Sequence, residues 1–96
     1  MSIHVIARAI ARPEAQQKLQ QALANNQAAS RREPGCVHYD IAQSTTDGNE
    51  FVTIEEWRTA ADVTTHMQTP HVAALLAAVP ALVAAPPDIR SYKAIG

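Results

Sequence analysis

The sequence predicts an α+β domain: a four-stranded antiparallel sheet backed by helices, in the order β-α-β-β-α-β, with the second helix broken in two. Three observations predict it. Four short segments, 3–11, 36–44, 50–58 and 88–95, read as strands, the first three with a two-residue alternation and the first rich in β-branched residues. Two longer segments, 14–32 and 60–84, are rich in Ala, Leu, Gln and other helix-tolerant residues. Breakers fall between them at Arg12-Pro13, Glu33-Pro34-Gly35, Thr46-Asp47-Gly48-Asn49 and Pro86-Pro87.

The first strand, IHVIARAIA, points Ile3, Val5, Ala7 and Ala9 one way and His4, Ile6, Arg8 and Ile10 the other. Both faces are largely apolar, so both are expected to be covered. Pro13 suits the first turn of a helix, and Glu14 complements its N-terminal dipole. Along that helix, from Glu14 to about Arg32, Ala15, Leu19, Ala22, Leu23 and Asn26 form one stripe. Pro34 cannot continue the helix, and Gly35 is expected there because glycine tolerates a positive φ.

In the second strand, Val37, Tyr39 and Ile41 share one face, and Cys36, His38 and Asp40 the other. A hairpin turn leads to the third, where Phe51, Thr53, Glu55 and Trp57 alternate with Val52, Ile54, Glu56 and Arg58. Thr59 with Asp62 three residues on reads as a capping box, opening a helix over about 60–68 with Val63, His66 and Met67 on one stripe. Thr69-Pro70 restarts the helix, Thr as cap and Pro at the first position. The second piece, from Pro70 to about Ala84, is expected to bury His71, Ala74, Leu75, Ala78 and Leu82. Residues 88–95 close the pattern, which is the ferredoxin-like split βαβ arrangement. All of 1–96 reads as one domain. Helices on one face of the sheet would leave an apolar second face, and another copy of the chain is the simplest cover for it.

The formal charge is −1, with acids and bases mixed along the chain. Arg31-Arg32 is the sole basic doublet and reads as solvated helix-end charge, so neither nucleic acid nor a membrane is expected as a partner. The apolar stretch 72–87 is interrupted by Pro80 and is too short to span a bilayer. The N-terminus lacks the charged and apolar regions of a signal peptide. One cysteine, Cys36, forms no intrachain disulfide and reads as a small buried residue, consistent with a reducing cytoplasm.

Three segments then stand in a telling order: Arg31-x-Glu33-Pro34-Gly35-Cys36-x-x-Tyr39-Asp40, Phe51-Val52-x-x-Glu55-Glu56-Trp57, and His66-x-x-Thr69-Pro70-His71. Together they resemble the antibiotic biosynthesis monooxygenase family. The resemblance implies a dimeric α+β barrel, two four-stranded sheets facing each other, with a pocket in each subunit between sheet and helices. It also implies oxidation of a quinol, anthrone or related polycyclic phenol by molecular oxygen without metal, flavin or haem. Other members isomerise a phosphorylated hydroxy-ketone or degrade haem. Haem degraders carry an Asn, a Trp and a His where this chain has Ala7, His66 and Leu76, so the axial ligand is missing and haem is not expected.

His66 and His71 are the candidate catalytic pair. The turn at Thr69-Pro70 could aim both rings into one pocket, and a neutral imidazole can take the proton of a phenol. The alternative is a structural pair capping backbone groups at the break. A metal is not expected, because a catalytic zinc needs three protein ligands and the acids nearest in sequence are Asp62, Glu55 and Glu56. Tyr39, Trp57, Glu55, Asn26 and Met67 are candidate pocket residues; plain packing is the alternative for each aromatic. Glu55 would either enter the pocket or face the dimer, where a carboxylate could pair with Arg8. An isomerase would want a cationic anchor at Arg90 or Lys93, and a ligand-binding dimer without chemistry is the remaining reading.

Overall fold

A computed structural model describes residues 2–96 of the chain. The elements follow the expected order: β1 (Ile3–Ile10), α1 (Gln16–Ser30), β2 (Cys36–Gln43), β3 (Glu50–Trp57), α2 (Ala60–Met67), α3 (Pro70–Leu82) and β4 (Asp88–Lys93). The strands pair antiparallel in the order β2-β3-β1-β4, so the two central strands are β3 and β1. This is the ferredoxin-like α+β fold.

The register sets the two faces of the sheet. Val5, Ala7 and Ala9 lie opposite Glu55, Thr53 and Phe51, all beneath the helices. Ile6 lies opposite Ile54, on the face turned away. Leu19 and Leu23 of α1, Phe51 of β3 and Val79 of α3 form one buried cluster with Ala11 and Val83. Trp57, Tyr39 and Val5 form a second. Backbone bonds from Arg12 N–H to Leu82 O (2.9 Å) and from Ala84 N–H to Ile10 O (2.8 Å) pin the end of α3 to the end of β1.

Several expectations need correction. Pro13–Ala15 form a 3₁₀ turn ahead of α1, which ends at Ser30 and not Arg32. A bulge between Cys36 and His38 places Cys36 opposite Trp57, so Cys36 joins the Tyr39 face, while Val37 is exposed. The extra residue in one strand reverses the alternation there. On α3 the buried residues are Val72 and Val79, with Leu75 and Leu82 half-buried and Ala74 and Ala78 exposed. The helix is turned so that its branched side chains are covered, which removes more apolar area from water than burying alanines. Strand β4 ends at Lys93, and all six of its residues are exposed. Within one chain only the helix face of β1 is covered; Ile6 remains 41% exposed.

Gly35 has no positive φ. It is glycine because of a close approach: a Cβ there would fall 2.3 Å from Cγ of Asp62 and 2.5 Å from its Cβ. Asp62 is fixed in turn: Thr59 Oγ1 accepts from Asp62 N–H (3.2 Å), the cap that was expected, and donates to its carboxylate (2.9 Å) in place of the reciprocal bond from Thr59 N–H that completes a capping box. The loop before β2 is thereby held against the start of α2.

Candidate functional site

The break between α2 and α3 is held by one hydroxyl. Thr69 Oγ1 donates to His66 O at the end of α2 (2.7 Å) and accepts from Val72 N–H at the start of α3. With Pro70 occupying the first position of α3, the chain turns within a few residues. His66 and His71 consequently reach one point from opposite sides of the turn. That point is Glu33. Its Oε2 lies 2.7 Å from His66 Nδ1 and 2.8 Å from His71 Nε2. A carboxylate oxygen accepts, so both ring nitrogens donate to it. In a neutral ring this leaves the lone pair of His66 on Nε2.

That Nε2 faces Glu55, 4.0 Å from Oε1 and beyond direct hydrogen-bond reach. Glu55 points inward, which decides between the two orientations open to it from sequence. It is buried, accepting from Thr53 Oγ1 (2.6 Å) and Trp57 Nε1 (2.9 Å). Arg8 pairs instead with Glu50 on the opposite face, at 2.8 Å. Trp57 is fully buried and stacks against His66, ring centroids 4.3 Å apart.

Between the sheet and the helices lies a cavity of about 250 Å³, with mostly apolar walls from Val5, Ala7, Leu23, Phe51, Val72 and Leu76. His66, Glu55, Tyr39 and Asn26 supply polar atoms to its lining, and Met67 lies along it half-exposed. Two expectations are corrected here. Trp57 is not among the lining residues; its size places it behind His66, where it supports the ring. His71 does not line the cavity either, but opens on a shallow groove between α1 and α3 beside Ala22, Asn25 and Asn26. The rings share a carboxylate, not a pocket, because they approach Glu33 from different sides.

Asn26 is 3% exposed. Its amide donates to Tyr39 Oη (2.8 Å), and its Oδ1 has no partner among the described residues. A buried acceptor without a donor costs about 1–3 kcal/mol, and this oxygen presents no open surface to the cavity. Burial pushes the Tyr39 phenol well above its ordinary value, and the Glu55 carboxylate adds to the shift. Tyr39 is therefore a neutral hydroxyl at physiological pH. Burial, followed by the Glu33 and Glu55 carboxylates, also raises the Cys36 thiol, which keeps it protonated and poorly nucleophilic.

The residue that sequence reasoning missed is Glu33, read as part of a helix stop. A signal was present: a carboxylate just beyond a helix C-terminus opposes the helix dipole and calls for a cationic or N–H partner. Glu33 supplies the third donor that neighbouring acids in sequence did not, and Glu33, His66 and His71 offer three ligand atoms within 4.8 Å of one another.

Comparison with known proteins places these features in context. A family model described as antibiotic biosynthesis monooxygenase matches residues 2–78. An uncharacterized protein of Synechocystis sp. is 39% identical over 64 residues, 67% of this chain; the match spans only 44% of that protein's length. A Mycobacterium tuberculosis protein named "Putative monooxygenase Rv0793" is 36% identical over 69 residues, 72% of this chain and 67% of the relative. The solved structure of Rv0793 superposes with a TM-score of 0.95 at 29% identity, covering 100% of this chain and 97% of that one. The crystal structure of PA3566 from Pseudomonas aeruginosa gives 0.92 at 29% identity, covering 99% and 95%.

Proposed function

The chain belongs to the antibiotic biosynthesis monooxygenase family, and from that premise we propose that it oxidises a small quinol or related phenol with molecular oxygen, using His66 as the base. The observation that carries this reading is the placement of His66: one nitrogen is tied to Glu33, and the other is turned into an apolar cavity beside Glu55. The hydrogen bond to Glu33 selects the tautomer whose Nε2 can accept a proton.

The chemistry draws its electrons from the substrate. The phenolic proton passes to His66 Nε2, and the resulting phenolate gives one electron to O₂, forming superoxide and a substrate radical. Their recombination makes a carbon–oxygen bond, and the peroxide takes back the proton held on His66 to become a hydroperoxide. Loss of the ring-carbon proton and departure of the outer oxygen as water leave one oxygen atom on the product. While His66 holds the extra proton, the Glu55 carboxylate 4.0 Å away balances its charge. A cavity of about 250 Å³ lies below the usual ~300–1,000 Å³ of ligand pockets, which favours one- and two-ring quinols over tricyclic anthrones.

The working form is proposed to be a homodimer of the 1–96 domain, joined through the uncovered sheet face. The single free thiol is compatible with a reducing compartment such as the cytoplasm. No helix among the described residues is long and apolar enough to cross a membrane. Isomerisation of a phosphorylated ketone is the second reading: Arg90 reaches the cavity lining and would be its anchor, in competition with its exposed pair to Asp88 at 3.1 Å.

The test is oxygen uptake by chelator-treated protein offered hydroquinones, naphthoquinols and anthrones. Uptake above the spontaneous rate is expected, falling by about 10²–10⁴ in His66→Ala, the usual contribution of a general base. Uptake that His66→Ala leaves unchanged would sink the role given to His66. No uptake with any substrate would remove the oxygenase reading itself.

A further inference from the structure

We propose that Glu33, His66 and His71 form a binding site for a divalent transition ion of the zinc type, and that this site is inhibitory. Two imidazoles and a carboxylate oxygen are a recognised three-ligand set for zinc, with water in the fourth position. Here the three donors converge without rearrangement of the backbone. Glu33 Oε2 stands between His66 Nδ1 at 2.7 Å and His71 Nε2 at 2.8 Å. Bonds of about 2.0–2.1 Å at tetrahedral angles separate ligand atoms by about 3.3 Å. Opening the two oxygen–nitrogen pairs by about half an ångström, and bringing the two ring nitrogens, now within 4.8 Å of each other, to the same spacing, would admit an ion in place of the two shared hydrogens.

The donors have the burial such a site needs. His66 and Glu33 side chains are 6% and 12% exposed, while His71, at 23%, opens the cluster to solvent. Neighbouring elements hold the ligands in place: Trp57 stacks on His66, and Thr69 ties the end of α2 to the start of α3.

The site lies beside the cavity, since neither Glu33 nor His71 lines it. An ion there would not touch a substrate, which distinguishes it from a catalytic metal. It would act through His66. Coordination takes the lone pair of Nδ1, so the single ring proton moves to Nε2, the nitrogen next to Glu55. The atom facing the cavity then changes from acceptor to donor, and the base is lost. This last consequence rests on the role proposed for His66; the binding itself does not.

The experiment uses untagged, full-length protein and zinc ions competed against a chromogenic chelator. One equivalent is expected to bind, and ¹⁵N spectra of His66 should show the proton leaving Nδ1 for Nε2. Glu33→Gln and His71→Ala should each weaken binding by more than about tenfold, the scale that even outer-shell partners of a metal reach. His71 is partly exposed, so its replacement is the safer test of the fold. Cys36→Ser should leave binding intact. Failure to compete with the chelator, or binding that survives both ligand variants, overturns the site. Binding with the expected variant effects but unimpaired oxygen uptake would overturn only its inhibitory role.

Discussion

Glu33 gathers two imidazoles onto one carboxylate oxygen, and this junction connects a helix end, a kink and a cavity. At the residue scale the histidines and the pocket residues Tyr39, Glu55, Asn26 and Met67 were legible, because each stands out chemically against an Ala-rich background. Glu33 was not, being 33 and 38 residues from its partners, a separation that local pattern does not bridge. Nor was the reason for Gly35, which lies in the approach of Asp62 and not in its own dihedral angles. Tyr39 carries a pH prediction. Its phenol is raised by burial and then by Glu55. Tyrosine in the unfolded chain ionises near pH ~10, so the stability that Tyr39 contributes is complete below that pH. It is lost as pH climbs from there toward the raised folded value, because only the unfolded chain can release the proton. In a Tyr92→Phe variant, which isolates Tyr39, phenolate absorbance should appear together with loss of near-UV circular dichroism. Phenolate forming near pH ~10 with the fold intact would count against the buried environment.

At the scale of elements, the strands and both capping signals followed from alternation, breakers and cap residues, which are local causes. The face of α3 did not: alanine and leucine occur all round that helix, so periodicity offers little contrast, and packing against α1 and the sheet decides its rotation. The β2 bulge was equally hidden, since its cause is the pairing of Cys36 with Trp57 across the sheet. The α2–α3 break also yields an expected outcome. Thr69→Ala should cost about 1 kcal/mol in urea unfolding, the usual worth of an N-cap. It should also reduce oxygen uptake by loosening His66, whose carbonyl Thr69 holds. Thr69→Ser should restore both. Full activity in Thr69→Ala would mean that the break does not position His66.

Across the whole molecule, the helices cover one face of the sheet and leave the other bare. Ile6, Ile54 and Tyr92 on that bare face are 41%, 47% and 46% exposed. The Arg8–Glu50 pair flanks them. An apolar face with a charged margin is the pattern of a protein interface. The expectation that this second face needs a partner rests on β1, where Ile6 and Ile10 share the face with His4 and Arg8. Light scattering at micromolar concentration should therefore give the mass of a dimer, and Ile54→Asp should halve it while far-UV circular dichroism is retained. A monomeric mass for the native chain would contradict the assignment.

Glu33 holds the His66 ring by Nδ1, which leaves Nε2 bare on the side of Glu55 and the cavity. Long-range ¹⁵N correlation of the imidazoles, on metal-free protein at neutral pH, reads this directly. A proton on Nδ1 and a lone pair on Nε2, lost or scrambled in Glu33→Gln, is the predicted result. The opposite tautomer, with the proton on Nε2, would leave the cavity without its base and overturn the role given to Glu33.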